Sequence, residues 1–303
     1  MSHDVHRVIA GNRRLDRLFR WAGLGGMAFA VLILLLLLIT LGVEGSQRLT
    51  WQFLTSYPSR VPSRAGILPA CVGTVLVMLV TALTSIPLGV AAAIYLEEYA
   101  PKNRLTAMIE INIANLAGVP SIVYGLMALG LFVYQLHLGH SILTAGLTLA
   151  LLCLPVVIIT TREAIRAVPV AIREAAYALG ATKWQMIRDH VMPYSTAGTL
   201  TGVIIALSRA IGETAPLITI GALSFIAFLP SPPVTAGPPF LSVRWLFDPF
   251  TVLPMQMFNW VSRPQEAFHL NAAGAGLVLM MVTLAMNGLA YYVRYRSRRR
   301  IQW

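Results

Sequence analysis

The chain has 303 residues, of which 57% are apolar and 12% charged, and its 23 lysines and arginines outnumber 12 acidic residues to give a net charge of +11. A soluble domain usually carries about 25% charged residues, and a disordered chain needs few apolar ones, so both classes are excluded. A soluble nucleic-acid binder would share the basic charge but not the low charged fraction. The composition therefore predicts a membrane protein with several spans.

Six apolar segments are long enough to cross a bilayer, because about 20 helical residues span the ~30 Å hydrocarbon core. In chain order the predicted spans are 21–43, 69–95, 111–134, 142–160, 197–228 and 271–293. The third is predicted to break near Pro120. The first is predicted to be an anchor rather than a signal peptide, because its apolar stretch is too long and no small-x-small cleavage site follows closely.

The distribution of basic residues predicts that both termini are cytoplasmic. With the N-terminus inside, the internal segments contain 17 Lys and Arg and the external ones contain 5. Such an excess on one side sets the orientation of membrane proteins. The internal segments are then 1–20, 96–110, 161–196 and 294–303.

Common catalytic signatures are absent from the sequence. It contains no phosphate loop, no H-E-x-x-H and no G-x-S-x-G. The six histidines have no recognisable metal-ligand spacing, and His137 and His140 are predicted to be solvated interfacial residues. We therefore predict no catalytic residue, no metal and no cofactor, which leaves transport, scaffolding or signalling.

The internal loop 161–196 predicts a helix, a glycine turn and a second short helix. Ile172, Ala176 and Leu179 fall on one helical face, and Gly180 can end that helix in a left-handed conformation. Such a loop suits docking to a cytoplasmic partner or packing on its own protein. A DNA-binding helix-turn-helix is disfavoured, because the loop has a net charge of only +2 and is tethered to the membrane at both ends.

The second helix is predicted to begin with a T-x-x-Q capping box formed by Thr182 and Gln185. An apolar face continues along it, formed by Trp184, Ile187 and Val191. Pro193 is predicted to stop this helix before the next span.

This loop resembles the EAA motif of ABC importer permeases, E-A-A-x3-G-x9-I-x-L-P, and the matching residues are Glu174, Ala175, Ala176, Gly180 and Pro193. His190 and Met192 stand where the family has Ile and Leu. The resemblance implies that residues from about 172 to 181 form a coupling helix in a cleft of a separate ATPase subunit. Its ATPase-coupling residues would be Glu174, Ala175, Ala176 and Gly180.

Further segments resemble the phosphate importer permeases, the A subunit family of the Pst system, and they are 57–60, 65–67, 118–125, 173–180, 212–216, 258–260 and 263–265. Together they cover most of the chain beyond the first span. The resemblance implies an all-α, six-span type I ABC importer permease fold in the bacterial plasma (inner) membrane. It also implies four kinds of partner: a homologous permease subunit, a cytoplasmic ATP-binding subunit dimer that hydrolyses ATP, a periplasmic or extracellular phosphate-binding protein, and phosphate itself. Nucleic acid is not expected as a partner.

The predicted organisation follows from the spans and this resemblance. It comprises a cytoplasmic tail (1–20), a first span with its external loop (21–68), a permease core (69–293) and a basic cytoplasmic tail (294–303).

A charged pair lies inside the predicted fifth span. Arg209 and Glu213 are i, i+4 neighbours that can meet on a helix. Counted from Ala197, Arg209 lies roughly 18 Å deep, near the midplane, where a charge costs about 2.5–3.5 kcal/mol. Both charges are predicted to share the packing face of Gly202 and Ala206, which points to the bundle interior or a dimer interface rather than to lipid.

The sequence is compatible with two roles for this pair. Arg209 can offer phosphate a fork of N–H donors, with Glu213 holding that fork or gating it and Thr214 as a polar helper. Alternatively, the pair is a static salt bridge that fixes helix packing. Pro216 is predicted to kink or end the helix, which is a suitable place for a gate.

Two further regions have weaker signals. Irregular backbone at membrane depth is tolerated where it is protein-buried or faces a cavity, so Pro120, Ser121 and Tyr124 are candidate pathway-lining residues, or they simply accompany a kink. The aromatic residues of segment 229–270 are predicted to form an interfacial belt, with a docking surface for a binding protein as the alternative. The alternative functions are a permease for another oxyanion or small solute, and a membrane scaffold or sensor without transport.

Overall fold

The computed structural model describes residues 2–222, 225–234 and 242–298, and the regular elements within these ranges are helices. Five are long and apolar enough to cross a membrane, and a bent pair makes a sixth when it is counted as one span. The predicted all-α, multi-span architecture is therefore confirmed. The helices are α1 (Ser2–Ser46), α2 (Trp51–Thr55), α3 (Leu68–Ile94), α4 (Arg104–Ala117), α5 (Ser121–Ala128), α6 (Ile142–Arg166), α7 (Val170–Ala178), α8 (Lys183–Met186), α9 (Met192–Ala210), α10 (Ala215–Thr219), α11 (Leu253–Val261) and α12 (Glu266–Arg298).

Helix α6 lies at the centre of the bundle, with α3 and α9 packed against it, and α12 packs between α9 and α1. Small residues allow this close approach. A methyl group added at Gly198 would lie 2.6 Å from Cβ of Ala164, and one added at Gly202 would collide with the side chain of Thr160. The predicted small-residue packing face of α9 is thus the face that contacts α6.

The predicted break near Pro120 is confirmed. Helices α4 and α5 meet at an angle of 106°. Helix α4 has 14 residues and is about 21 Å long, which is too short to cross a ~30 Å hydrocarbon core alone. A π-helical segment, Leu129–Gln135, prolongs α5, so the predicted third span corresponds to a bent pair of helices.

The predicted fifth span, 197–228, is wrong at both ends. The helical run extends from Lys183 to Ala210, and a turn separates it from the short α10. Pro216 lies in the first turn of α10, where its missing N–H is tolerated, and Gly221 has a φ of +83° after that helix. These residues favour a new short helix and a turn, so an apolar stretch that is long enough for one span is divided.

Pro193 does not stop the helix before this span, contrary to the prediction. It lies in the first turn of α9, directly after a π-helical segment, Ile187–Val191, that continues α8. The wider π turn shifts the hydrogen-bond register, so a residue without an N–H is accommodated and the helix continues.

The remaining helices are longer than the predicted spans, because charged and polar residues continue them beyond their apolar centres. The predicted ranges 21–43, 69–95, 142–160 and 271–293 lie within α1, α3 with its π-helical extension Tyr95–Tyr99, α6 and α12. Of the predicted basic tail, residues 294–298 belong to α12, and 299–303 lie outside the described residues.

Segments predicted to share one side of the membrane contact one another. At one end, Glu97 pairs with Arg162, which joins segment 96–110 to segment 161–196. At the other, the backbone N–H of Ile142 donates to the carbonyl of Asp248. The segments therefore alternate between two ends as predicted, while the assignment of one end to the cytoplasm stays a prediction.

The predicted aromatic belt in segment 229–270 is only partly correct. Phe250 and Trp260 are each 1% exposed and belong to the core, and Trp245 is also buried. Phe247 and Phe258 remain exposed. Burial against α3 and α12 is a tertiary effect that composition could not distinguish from an interfacial location.

Candidate functional site

Two helix breaks flank a contact between α5 and α10, and we call them the helix-break site: residues 118–121 between α4 and α5, and residues 211–214 between α9 and α10. Gly125 of α5 packs directly on α10, since a methyl group added to it would lie 2.6 Å from Cα of Pro216. Backbone breaks at membrane depth need burial in protein or a polar cavity. The α5–α10 contact follows each break directly, while Gly118, Pro120 and Gly212 within the breaks remain exposed.

Arg209 and Glu213 form an ion pair beside this contact, with 3.3 Å between Nε and Oε1. The predicted pairing is confirmed, but its helical geometry is not, because α9 ends at Ala210 and Glu213 lies in the following turn. The Glu213 N–H donates to the carbonyl of Ala210, which brings its side chain back towards the helix end.

The residues that follow Arg209 contact α6. Ala210 and Ile211 line a small cavity together with Leu149, which lies seven residues from Ile142, where α6 begins. The depth of Arg209 in the membrane stays a prediction.

The exposure of the pair bears on its chemistry. The Arg209 side chain is 51% exposed and that of Glu213 only 17%. The carboxylate is thus sheltered, while the guanidinium keeps N–H groups that can reach a ligand or a second subunit. A polar residue accompanies the pair, because Thr214 is half-buried at the N-cap of α10.

Of the candidate pathway-lining residues, Tyr124 is the one that the described contacts join to this region. Its hydroxyl donates to the carbonyl of Leu116 at 2.8 Å across the break between α4 and α5, and the adjacent Gly125 packs against α10. Pro120 is exposed at the N-cap of α5, and Ser121 is half-buried at its first position.

The loop between α6 and α9 has the predicted helix–glycine–helix form. Helix α7 ends in a turn at Gly180, whose φ is +81°. The Thr182 hydroxyl accepts from the Gln185 N–H, and the Gln185 side chain accepts from the Thr182 N–H, which completes the predicted capping box. Local sequence signals are sufficient here because both motifs are formed by neighbouring residues.

The exposed surface of this loop differs from the predicted apolar face. Ala176 is buried against α8, whereas Leu179 is 87% exposed and Trp184 is 56% exposed. Ile187 and Val191, predicted to share a face with Trp184, are fully buried. Glu174, Ala175 and Gly180 are exposed.

A cluster of ion pairs that was not predicted from the sequence adjoins this loop. It joins the π-helical end of α3 to α4, α6 and α7, and its members are Glu97, Glu98, Glu110, Arg162, Arg166 and Arg173. A cavity of about 400 Å³ opens beside it. The adjacent acids at 97–98 and the i, i+4 arginines at 162 and 166 were the available signal, but their pairing depends on tertiary contacts.

His140 differs from its predicted role as a solvated residue. It is exposed, yet its Nδ1 lies 2.6 Å from the carbonyl oxygen of Ile220, so it fastens its loop to the turn after α10. Within the ranges that the structure describes, no group of three or more His, Cys, Asp or Glu side chains is arranged to hold a metal ion.

Comparison with solved structures identifies the fold. An alginate ABC transporter crystallised with a pentasaccharide-bound periplasmic protein matches with a TM-score of 0.66 at 15% identity, over 93% of this chain and 96% of that one. A chain of the MetNI methionine ABC transporter matches with a TM-score of 0.57 at 14% identity, over 74% of this chain and 93% of that one. The fold is therefore that of a type I ABC importer permease.

Sequence comparisons then show the family. A family model described as "Binding-protein-dependent transport system inner membrane component" matches residues 85–301. The phosphate transport system permease protein PstA of Yersinia pestis is 32% identical over 93% of this chain and 90% of its own length. The probable ABC transporter permease protein YqgI of Bacillus subtilis is 31% identical over 88% and 91%. The chain belongs to the binding-protein-dependent permease family, and it is a multi-pass membrane protein whose family is not itself catalytic.

Proposed function

We propose that the chain is one permease subunit of an ATP-driven importer of inorganic phosphate in the bacterial plasma membrane. The observation that carries this proposal is the half-exposed guanidinium of Arg209, which is held by a sheltered carboxylate at a break in the helix. Relatives named as phosphate transport permeases, such as PstA of Mycobacterium leprae at 35% identity over 78% of this chain, support the substrate.

Arg209 recognises the anion in this proposal. A guanidinium presents planar N–H donors that match the oxygens of a phosphate, and it remains charged at any physiological pH. Glu213 keeps the fork oriented while no anion is present, and Thr214 adds a hydroxyl. Pro120, Ser121 and Tyr124 line the same pathway from the α4–α5 break.

The permease core, residues 69–293, forms half of the pathway, and a homologous permease subunit forms the rest. The exposed side chain of Arg209 supports this arrangement, because a charge at membrane depth needs water or protein around it rather than lipid. A phosphate-binding protein delivers the anion from outside, and a dimer of ATP-binding subunits supplies energy from the cytoplasm.

Helix α7 and the Gly180 turn dock on the ATPase. Glu174, Ala175 and Gly180 are exposed there, beside the highly exposed Leu179. Ala176 is buried and packs α7 against the rest of the loop. An apolar residue at 87% exposure outside the lipid is stabilised by a protein partner.

A flux assay tests the substrate. The assembled importer is reconstituted in proteoliposomes, and ATP-dependent uptake of labelled phosphate, sulfate and molybdate is compared in the presence of the binding protein. We expect uptake of phosphate at least tenfold above that of the others. Faster uptake of another oxyanion would reassign the substrate, and ATP-dependent flux of none would favour a scaffold or sensor.

Glu174→Lys tests the docking surface. We expect at least tenfold weaker association with the ATPase subunits, because the change reverses a charge at the centre of the contact, while the chain still folds. Affinity capture of the ATPase measures association. Glu163→Lys, the same change at an exposed glutamate of α6, is the matched control, and equal capture of ATPase by both variants would contradict the docking assignment.

A further inference from the structure

The ATPase-facing helix α7 is attached to the rest of the chain in two ways. An apolar cluster beneath it includes Ala176 and Ile172, together with Ile94 of α3. The second attachment is the side chain of Arg173, which directly precedes Glu174. Apolar contacts alone allow sliding, whereas a guanidinium with several partners imposes a fixed geometry.

Every nitrogen of the Arg173 guanidinium has a partner. Nη2 donates to Glu98 Oε1 at 2.9 Å and to the carbonyl of Ile165 at 2.9 Å. Nε donates to the same Glu98 oxygen at 3.2 Å, and Nη1 donates to the carbonyl of Val168 at 2.6 Å. One side chain of α7 therefore binds the end of α3 and also caps the end of α6.

The burial of this pair makes it stronger than a surface ion pair. The Glu98 side chain is 9% exposed and that of Arg173 is 16% exposed. Little water screens the two charges, and removing one partner leaves the other buried and unpaired.

The end of α3 is built to meet several partners at once. Its π-helical turn presents three successive side chains to different elements: Glu97 pairs with α6, Glu98 pairs with α7, and the Tyr99 ring lies 4.8 Å beneath the ammonium group of Lys183 in α8. Of these, Glu98 is the one that reaches the helix proposed to contact the ATPase.

We infer that the Arg173–Glu98 pair is the positioning joint through which movement of α7 is passed to α3, alongside the direct contact of Arg173 with the end of α6. This inference rests on the proposed docking of α7 on the ATPase. Glu98 contacts neither phosphate nor ATPase in this scheme; it acts by making α3 follow α7.

Spin labels test the joint without reference to the transported solute. Labels at the exposed positions Tyr95, at the end of α3, and Tyr292, on α12, report their separation in the assembled importer with and without ATP. Cys71 and Cys153 are first replaced, so that only the two introduced cysteines carry labels. We expect ATP to change the distance between the two labels. Glu98→Ala should reduce that change at least twofold, while ATPase capture is unaffected.

The control is Glu163→Ala, which removes an exposed carboxylate from the end of α6 that lies near α7. This variant should keep the full ATP-dependent change in label distance. If Glu98→Ala fails to assemble, Glu98→Gln is measured in its place, because it retains the shape and an acceptor oxygen but removes the charge. The ATP-dependent change in label distance should also be smaller in Glu98→Gln than in the parent importer.

The outcomes separate the two proposals. A full change in distance in the Glu98 variants overturns the joint and leaves the docking assignment standing. No ATP-dependent change in the parent importer overturns the joint, and the docking assignment is then decided by the capture experiment with Glu174→Lys. A loss confined to the Glu98 variants, with the ATPase still bound, supports the joint, because a merely structural contact would lower assembly as well.

Discussion

At the scale of single residues, Arg209 forms the ion pair that its sequence spacing predicts. Its partner Glu213 was predicted from a spacing of four, and the ion pair is present, although the two residues lie on opposite sides of a helix end. The ion pair forms although α9 ends before Glu213. The Glu213 N–H donates to the carbonyl of Ala210, and the resulting turn keeps the carboxylate close to Arg209.

Arg209→Ala should lower phosphate uptake at least tenfold in the proteoliposome assay while leaving assembly intact, because the anion loses its N–H donors. Arg209→Lys should be intermediate, since it keeps the charge but not the fork. Arg244→Ala, an exposed arginine outside the helix-break site, is the control and should retain uptake.

Glu213→Ala separates a pathway role from a static salt bridge. If Arg209 binds phosphate, this variant should retain more uptake than Arg209→Ala, because the guanidinium remains. Equal loss in both variants would show that the ion pair itself, rather than the arginine, is what transport requires.

At the scale of elements, the α7–α8 turn depends on one backbone conformation. Gly180 has a φ of +81°, and an added methyl group would meet nothing within 4 Å, so the demand is conformational rather than steric. A side chain in the left-handed region costs roughly 1–2 kcal/mol, and least for asparagine.

Gly180→Val should therefore lower the stability of this turn by roughly 1–2 kcal/mol or more and reduce ATPase capture severalfold. Gly180→Asn should stay close to the parent chain in the same capture assay. Since both variants add a side chain in open space, a similar loss in both would indicate that the ATPase contacts the glycine itself.

One of the two helix breaks could be predicted from the sequence, and the other could not. The bend near Pro120 was predicted because a proline and flanking glycines give a local signal. The end of α9 at Ala210 was missed because residues 197–228 are mostly apolar, and hydropathy does not reveal that the chain packs α10 against Gly125 instead of continuing.

At the scale of the whole molecule, the orientation is still a prediction. Two described surfaces test it: His137, at the end of the bundle predicted to be external, and Leu179, on the proposed ATPase side; both are exposed. In a chain without its native cysteines, a membrane-impermeant thiol reagent added to intact cells should label His137→Cys. Leu179→Cys should react only after the membrane is opened. The reverse pattern would contradict cytoplasmic termini.

The sequence alone determined the class of the protein, its multi-span helical architecture, the alternation of the segments and the helix–glycine–helix form of the loop between α6 and α9. Each of these depends on composition, hydropathy or motifs of adjacent residues, which act locally. The tertiary structure decided where α9 ends, which aromatic residues are core, and that Arg173 reaches Glu98. These features depend on contacts between residues far apart in the chain, and such contacts form only when several helices are packed together.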